Sequence, residues 1–405
     1  MKQTTSCPGC GPTPAIHRVE YYAALLDTIM TKIFPTADRV MATVNTILRP
    51  VHLEKLTPLF LKSLATIGLG QILTAPVEDD SWRTKCLWEA AEKKGITMWE
   101  FRFFKRYKDL FVASLPGKTI VFDGLPRPEG RMYGSLNWMD NKGIMNRKFS
   151  AAGIPVARGQ ACFTKKCALE TFKKIDGSAI AKPHIGSRSR HTTIHLVNEK
   201  ELLVAFTLAK QLSPWAIVEE ELNGMVFRAT VIGGKTIAVM RREPPHVIGD
   251  GHSTVTKLME KENQNPMRQG PIFHHLPQDE ETERELERQS LNLESVPDKR
   301  RLVTLSQKVG RGSGASTSDV THLVHPANNK LFEKVAEVLD DPLVGIDFII
   351  ADITKPWFEQ KKCGVIECNS LPFIDLHHYP LYGKPRDVAG ALWDFILKTE
   401  EKLTV

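Results

Sequence analysis

Apolar and polar positions divide the chain into short elements of two periods. DDSWRTKCLWEAAEKKG (79–95) sets Trp82, Cys86 and Ala90 at i, i+4 and i+8, opens on acidic residues, carries lysines before its end and stops at Gly95, which predicts a helix. ITMWEFRFF and KTIVFDGLPRP follow it and read as strands, so Ala15 to about Pro128 predicts a small α/β unit. WMDNKGIMNRKFSAAGIPVARG predicts a helix ending near Gly153 and then a strand. In VNEKELLVAFTLAKQL, Asn198 and Glu201 have N-cap and N3 spacing, with Leu202, Phe206 and Ala209 on one face. VEEELNGMVFRATVIGGKTIAVMRRE holds two β-rich runs joined by Gly233-Gly234, a hairpin signal. NNKLFEKVAEVLDD predicts a helix with Leu331, Val335, Val338 and Leu339 inward, and RDVAGALWDFILK another with Val388, Leu392, Phe395 and Ile396 inward. LVGIDFIIADI and CGVIECNSLP are continuous apolar runs of strand length, which predicts buried central strands. Between these elements, 270–301 has little apolar periodicity and reads as a long excursion of a kind that is often functional.

Composition narrows the classes. The 405 residues, 42% hydrophobic and 25% charged, suit a soluble globular chain of two or three subdomains. A net charge of +7 with interleaved signs favours phosphorylated or carboxylated ligands over nucleic acid. No stretch reaches the ~20 apolar residues of a membrane span, so no membrane partner is expected. The N-terminus lacks the apolar region of a secretory leader, and seven scattered cysteines do not read as a disulfide framework. A cytoplasmic protein is therefore expected, with homo-oligomerisation left open. Cys7 and Cys10 form a CxxC, half of a zinc site or redox pair, but no second half is evident along the chain, and 1–15 reads as a disordered tail. FRFFKRYK (101–108) interleaves basic and aromatic residues as single-strand binders do, yet a half-buried strand with a solvated face gives the same letters.

Candidate chemistry lies in the strands. Asp347 in GIDF and Glu367 and Asn369 in IECNS are polar residues within runs that otherwise read as core, and Glu367 and Asn369 alternate onto one face. Oxygen donors of this type suit Mg²⁺ shared with a phosphate, while a buried network with arginines accounts equally for the carboxylates. IAKPHIGSRSRHTTIH (180–195) has the form of strand, Lys-Pro, loop and strand, but offers Ser187, Arg188, Ser189, Arg190 and His191 after Gly186.

Taken with MRREPPHVIGDGHSTVTKLMEKENQNPMRQG, SDVTHLVHPANN and VGIDFIIADITKPWFEQKKCGVIECNSLPFIDLHHYPLYGKPRDVAG, the chain from Trp138 to Leu397 resembles the ATP-grasp superfamily, within it the ligase domains of cyanophycin synthetases and bifunctional glutathione synthetases. The resemblance implies an α/β (α+β) fold, two lobes holding nucleotide between them, preceded by the small N-terminal α/β domain. The expected divisions are 1–15 (tail), 16–135 (N-terminal domain) and 136–405 (grasp domain), the last split into a lid at 136–215 and a C-terminal lobe at 216–405. It implies an ADP-forming carboxylate–amine ligase that uses ATP and Mg²⁺, with Mn²⁺ an alternative ion, on amino acid or peptide substrates. Matched by position, Lys142, Lys182 and Glu219 would hold nucleotide, with Ser187 and Ser189 as substitute donors in the departing loop. Asp347, Glu367 and Asn369 would hold the metal, and Arg228, Arg241, Asp250 and His377 match parts that shape the substrate side; Arg228 and Arg241 are the expected catalytic residues, with Lys308 supplying a substitute charge near the transferring phosphate.

Several positions depart from the family pattern. Ser189 and His191 stand where relatives carry glycines, although hydroxyl and guanidinium groups also bind phosphate oxygens. Val226 replaces an acid that holds the ribose, and Ser306 and Gly310 replace an arginine and an asparagine near the transferring phosphate, with Lys308 or Arg311 as substitutes. The relatives' additional ligase domain has no counterpart here, so neither relative's product is expected from this chain unaided. A degenerate nucleotide- or peptide-binding protein is the alternative reading.

Overall fold

The structure, a computed structural model, describes residues 7, 10, 15–33, 53–104, 107–128, 138–139, 141–185, 190–307 and 309–404. Four antiparallel strands, Gly70–Leu73, Thr97–Phe103, Tyr107–Leu115 and Lys118–Asp123, pair in sequence order to form the N-terminal sheet. The expected helix appears as Trp82–Lys93, where the Ser81 side chain accepts from the Thr84 N–H. Its apolar stripe packs with the sheet and with the C-terminal helix Val388–Thr404, whose buried Trp393 donates its Nε1–H to the Leu87 carbonyl at 3.1 Å. Of FRFFKRYK, Phe101 is core, and Arg102 is buried between Asp80 and Glu100 at 2.5 and 2.6 Å, so its charge is already neutralised.

The central sheet runs Ser316–Asp319, Lys235–Glu243, Met225–Ile232, Leu343–Ile350, Gly364–Asn369, all antiparallel. Alternation gives it two different faces. Phe227, Ala229, Val231, Val344, Ile346 and Phe348 pack into one core with the Pro326–Leu339 helix, while Arg228, Asp347, Glu367 and Asn369 share the opposite face. Gly364–Asn369, expected in the interior, is an edge strand protected by a bridge from Val156 to Val365. Gly233 and Gly234 turn the expected hairpin at φ 56° and 75°. Gly224 sits at φ 121°, where a Cβ would lie 2.2 Å from the Ile350 backbone. Gly224→Ala is accordingly expected to destabilise the fold by at least about 2 kcal/mol, read as a lower thermal midpoint.

A second sheet, Gly159–Cys162, Ala216–Glu220, Ala179–Pro183, Thr193–Leu196, carries the helices Lys165–Phe172 and Glu199–Ala209 on one face. The Asn198 cap forms as expected, accepting from the Glu201 N–H at 3.0 Å. The Ala216–Glu220 strand is interior to this sheet, paired with Gly159–Cys162 on one side and Ala179–Pro183 on the other. A disulfide links Cys162 to Cys167, a single local bridge rather than a framework. The stretch 270–301 is also more ordered than its composition indicates. It contributes the Glu280–Arg288 helix to a small core of Val247, Val255, Leu258, Met259, Leu276, Leu286, Val303 and Leu305. Among the described residues no helix is long and apolar enough to cross a membrane. Within the span expected as a tail, Cys10 is buried and contacts His17 and His191.

Candidate active site

Between the lid sheet and the polar face of the central sheet lies a cleft of about 190 Å³. Ile180, Ile194, Leu222, Ile349 and Ile366 make its apolar walls, and Lys142, Lys182, Arg190, Glu219 and Glu367 bring charge to it. Lys142 opens the Lys142–Ala151 helix, capped by Asn141, whose Oδ1 accepts from the Ile144 N–H at 3.1 Å. Strand pairing places Ile180 directly opposite Glu219, and Lys182, two residues along the same strand, ion-pairs with the Glu219 carboxylate. Lys182 and Glu219, two of the residues expected to hold nucleotide, are thus each other's partners in the structure as it stands. A cleft lined by apolar side chains and lysines can take a planar ring and its attached phosphates.

Next to the cleft, Asp347, Glu367 and Arg228 occupy directly paired positions on three neighbouring strands. The Arg228 Nε and Nη2 donate to Asp347 at 2.5 and 2.8 Å, and the Arg242 Nη1 donates to the same carboxylate at 3.1 Å. Burial alone would raise the Asp347 carboxyl, but the two guanidiniums outweigh it and hold the group below the usual carboxylate range. The arginine network that accounts for this carboxylate without a metal is therefore real for Asp347. Asn369, with its amide oriented to satisfy both neighbours, accepts from Arg228 at 3.2 Å and donates to Glu367 at 3.3 Å. Glu367 forms no ion pair among the described residues and faces the cleft.

The donor set is all oxygen, which fits Mg²⁺. Glu367 and the Asn369 carbonyl are the available ligands, and Asp347, with three of its roughly four lone-pair positions taken, retains one. Buried polar atoms without partners cluster in the same region: Arg228 Nη1, Arg242 Nε, Arg311 Nη1, Asp375 Oδ1 and His377 Nδ1. Such atoms cost stability unless a ligand satisfies them.

The remaining expected residues fall in different places. His377 is buried, with its Nε2 2.8 Å from the Thr230 hydroxyl, beside this cluster. Arg241 has the opposite parity from Arg228 and pairs with Glu243 at 3.1 Å, whereas its neighbour Arg242 reaches Asp347. Asp250 lies apart, beside Lys261, Glu262 and Arg268 in a separate cavity, and accepts from the His252 and Ser253 N–H groups at 3.0 and 2.8 Å. Ser187, Ser189 and Lys308 lie outside the described residues. Ser306 donates to Glu281 at 2.6 Å, and Arg311 ion-pairs with Asp375.

Arg242, Asp375 and His184 were not singled out from the sequence. The MRRE pair offered Arg242 as readily as Arg241, but strand parity alone decides between them. His184 is buried beside Lys142, and burial first, then Lys142 and Arg147, pushes its pKa down to about 4. Burial, with Arg228 and His378, pushes His377 down to about 3. Both rings are neutral in the folded protein at pH values where an unfolded histidine, near 6.5, is protonated. The unfolded chain then binds more protons, so stability rises with pH between about 4 and 6.5 and falls as pH drops below 6.5. At pH 5 each ring is expected to cost roughly 2 kcal/mol relative to pH 7. A thermal midpoint unchanged between pH 7 and pH 5 would contradict this.

No family model matches the chain. It is 32% identical over 265 residues to the cyanophycin synthetase of a Nostoc species, a match covering 64% of this chain and 29% of that protein. It is 28% identical over 259 residues to the glutathione biosynthesis bifunctional protein of Mannheimia succiniciproducens, covering 61% of this chain and 34% of the relative. Among solved structures, the bifunctional glutathione synthetase of Pasteurella multocida aligns over 78% of this chain and 43% of its own, with a TM-score of 0.59 and 23% identity. The chain thus spans about a third of the length of these curated relatives.

Proposed function

By fold and by sequence likeness the chain belongs to the ATP-grasp superfamily, and from that premise we propose that it is an ADP-forming, Mg²⁺-dependent ligase joining a carboxylate to an amine. The observation that carries the reading is the cleft itself, whose lining combines apolar side chains with Lys142, Lys182, Glu219 and Glu367, the last paired in register with Asp347, which is in turn opposite Arg228. Ile180, Ile194, Leu222, Ile349 and Ile366 enclose the base, while Lys142 and Lys182 neutralise phosphate oxygens. Lys182 exchanges its bond to Glu219 for one to phosphate, which leaves the Glu219 carboxylate to accept from the base. Glu367 and Asn369 would hold Mg²⁺, which would offset the charge of the phosphates.

Phosphoryl transfer asks a protein for position and counter-charge more than for covalent chemistry. The unpartnered Arg228 Nη1 is a fixed donor for the oxygens of the transferring group, and Asp347 keeps the guanidinium in place. The substrate carboxylate takes the phosphoryl group, and an amine then displaces phosphate from the acyl phosphate to give an amide. The curated relatives are named for cyanophycin and glutathione synthesis, which supports an amino acid or peptide as substrate. A cytoplasmic location accompanies this reading.

Isothermal titration with a non-hydrolysable ATP analogue in the presence of Mg²⁺ tests the cleft. Lys182→Met is expected to weaken binding by at least about tenfold, the equivalent of one charge-assisted contact. Unchanged affinity would remove the cleft as the nucleotide site. A second reading, nucleotide binding without turnover, draws on Ser306, which supplies no positive charge and is bonded to Glu281.

A further inference from the structure

We infer that Cys7, Cys10, His17 and His191 form a tetrahedral site for a zinc-type divalent ion that pins the N-terminal segment to the wall of the cleft. The second half of the CxxC site, absent from the sequence pattern, is supplied by two histidines, one opening the His17–Ile33 helix and one far along the chain. The His191 Nε2 lies 3.5 Å from the Cys7 sulfur and 3.4 Å from the Cys10 sulfur, and the His17 Nε2 lies 3.3 Å from the Cys10 sulfur. All four ligand atoms fall within 4.8 Å of one another. Zn–S bonds of about 2.3 Å and Zn–N bonds of about 2.0 Å at a tetrahedral angle separate sulfur from nitrogen by about 3.5 Å. The observed spacings are those of ligands around one centre.

Hydrogen bonding among the four side chains explains them less well. The His191 Nδ1 is 2.8 Å from the Leu208 carbonyl, which can only accept, so Nδ1 carries the ring proton. The neutral ring then presents a bare Nε2 lone pair to both thiols, and a carbonyl partner on the second nitrogen is how metal-bound histidines are oriented. Cys10 and His191 are buried, and Cys10 N–H donates to the Cys7 carbonyl at 3.0 Å, closing the turn between the two cysteines. Two thiolates and two imidazoles select zinc over the oxygen-seeking Mg²⁺ assigned to the cleft.

The position gives the ion a structural task. Arg190, Thr192 and Ile194 line the cleft, and His191 between them turns away from it with φ 51°. A second tie runs alongside, from Arg190 to Glu20 of the first helix at 3.0 Å. Binding at the four ligands therefore fixes the backbone of one cleft wall to the N-terminal helix, whether or not the cleft takes a nucleotide.

The test is the metal content of the untagged full-length chain, purified under reducing conditions from zinc-supplemented cells. About one zinc per chain is expected, falling at least about tenfold in Cys7→Ser/Cys10→Ser. Replacement by cobalt is expected to give tetrahedral visible bands with sulfur-to-metal charge transfer, both lost in the same variant. Should that variant fail to fold, blocking the wild-type thiols with a mercurial reagent is expected to release the zinc to a chromogenic chelator. Wild-type protein without zinc, a Cys7–Cys10 disulfide in the reduced preparation, or a cobalt spectrum unaltered by the cysteine substitutions would each overturn the site.

Discussion

Glu367→Gln is expected to lower ADP formation at least about 100-fold while leaving the thermal midpoint within about 2 °C of wild type. The substitution keeps the shape and removes only the charge. Glu367 is half-buried, faces the cleft and forms no ion pair among the described residues, so the fold does not depend on its carboxylate. Its one hydrogen bond, to the Asn369 amide, can be kept by a glutamine carbonyl. What is lost is an anionic oxygen ligand at the point where Mg²⁺ and phosphate meet, and Mg²⁺ relies on one or two such carboxylates. A Glu367→Gln protein with full activity would remove Glu367 from the metal site and leave the arginine network as the only role for this face.

Arg228→Met is expected to do something different, lowering both turnover and stability. Arg228 is buried and donates twice to Asp347. Removing it leaves a buried carboxylate with only Arg242, and breaking such a pair costs about 3–5 kcal/mol. The combined variant Arg228→Met/Arg242→Met/Asp347→Leu removes the carboxylate together with both guanidiniums and should recover more than half of that loss, since packed apolar side chains avoid the desolvation of the charges. Turnover should stay lost in the combined variant, because the guanidinium proposed to stabilise the transferring phosphate is absent from both variants. Chemical denaturation and ADP release on the three proteins separate the two effects. Recovery of activity along with stability would show Arg228 to be purely structural.

Local pattern made much of this molecule readable in advance. The Trp82–Lys93 helix, the Asn198 cap and the Gly233-Gly234 hairpin each rest on residues close in sequence, where period and turn chemistry act directly. The shared face of Glu367 and Asn369 followed from strand alternation alone. Features set by pairing between distant segments were not readable. Arg242 joins Arg228 because the Lys235–Glu243 strand pairs with Met225–Ile232 in one register, and a one-residue shift would have exchanged it for Arg241. The Ala216–Glu220 strand joins the second sheet because Gly159–Cys162 and Ala179–Pro183 flank it, which no local window contains. Asp347 had two readings from sequence, metal ligand or arginine partner, and only the positions of Arg228 and Arg242 show how far the second holds. His191 lies 184 residues from Cys7, so their meeting had no signal in spacing.

In the proposed ligation a carboxylate is phosphorylated by ATP before an amine attacks it. The most direct measurement incubates the chain with Mg-ATP and pooled amino acids and short peptides labelled with ¹⁸O in their carboxyl groups, then determines the mass of the released phosphate. An acyl phosphate leaves one labelled oxygen on the phosphate, together with a product whose mass equals two substrates less water. ADP accompanied by unlabelled phosphate would mean that water takes the phosphoryl group directly, and nucleotide binding with no ADP at all would mean a binding protein; either result would contradict the ligase.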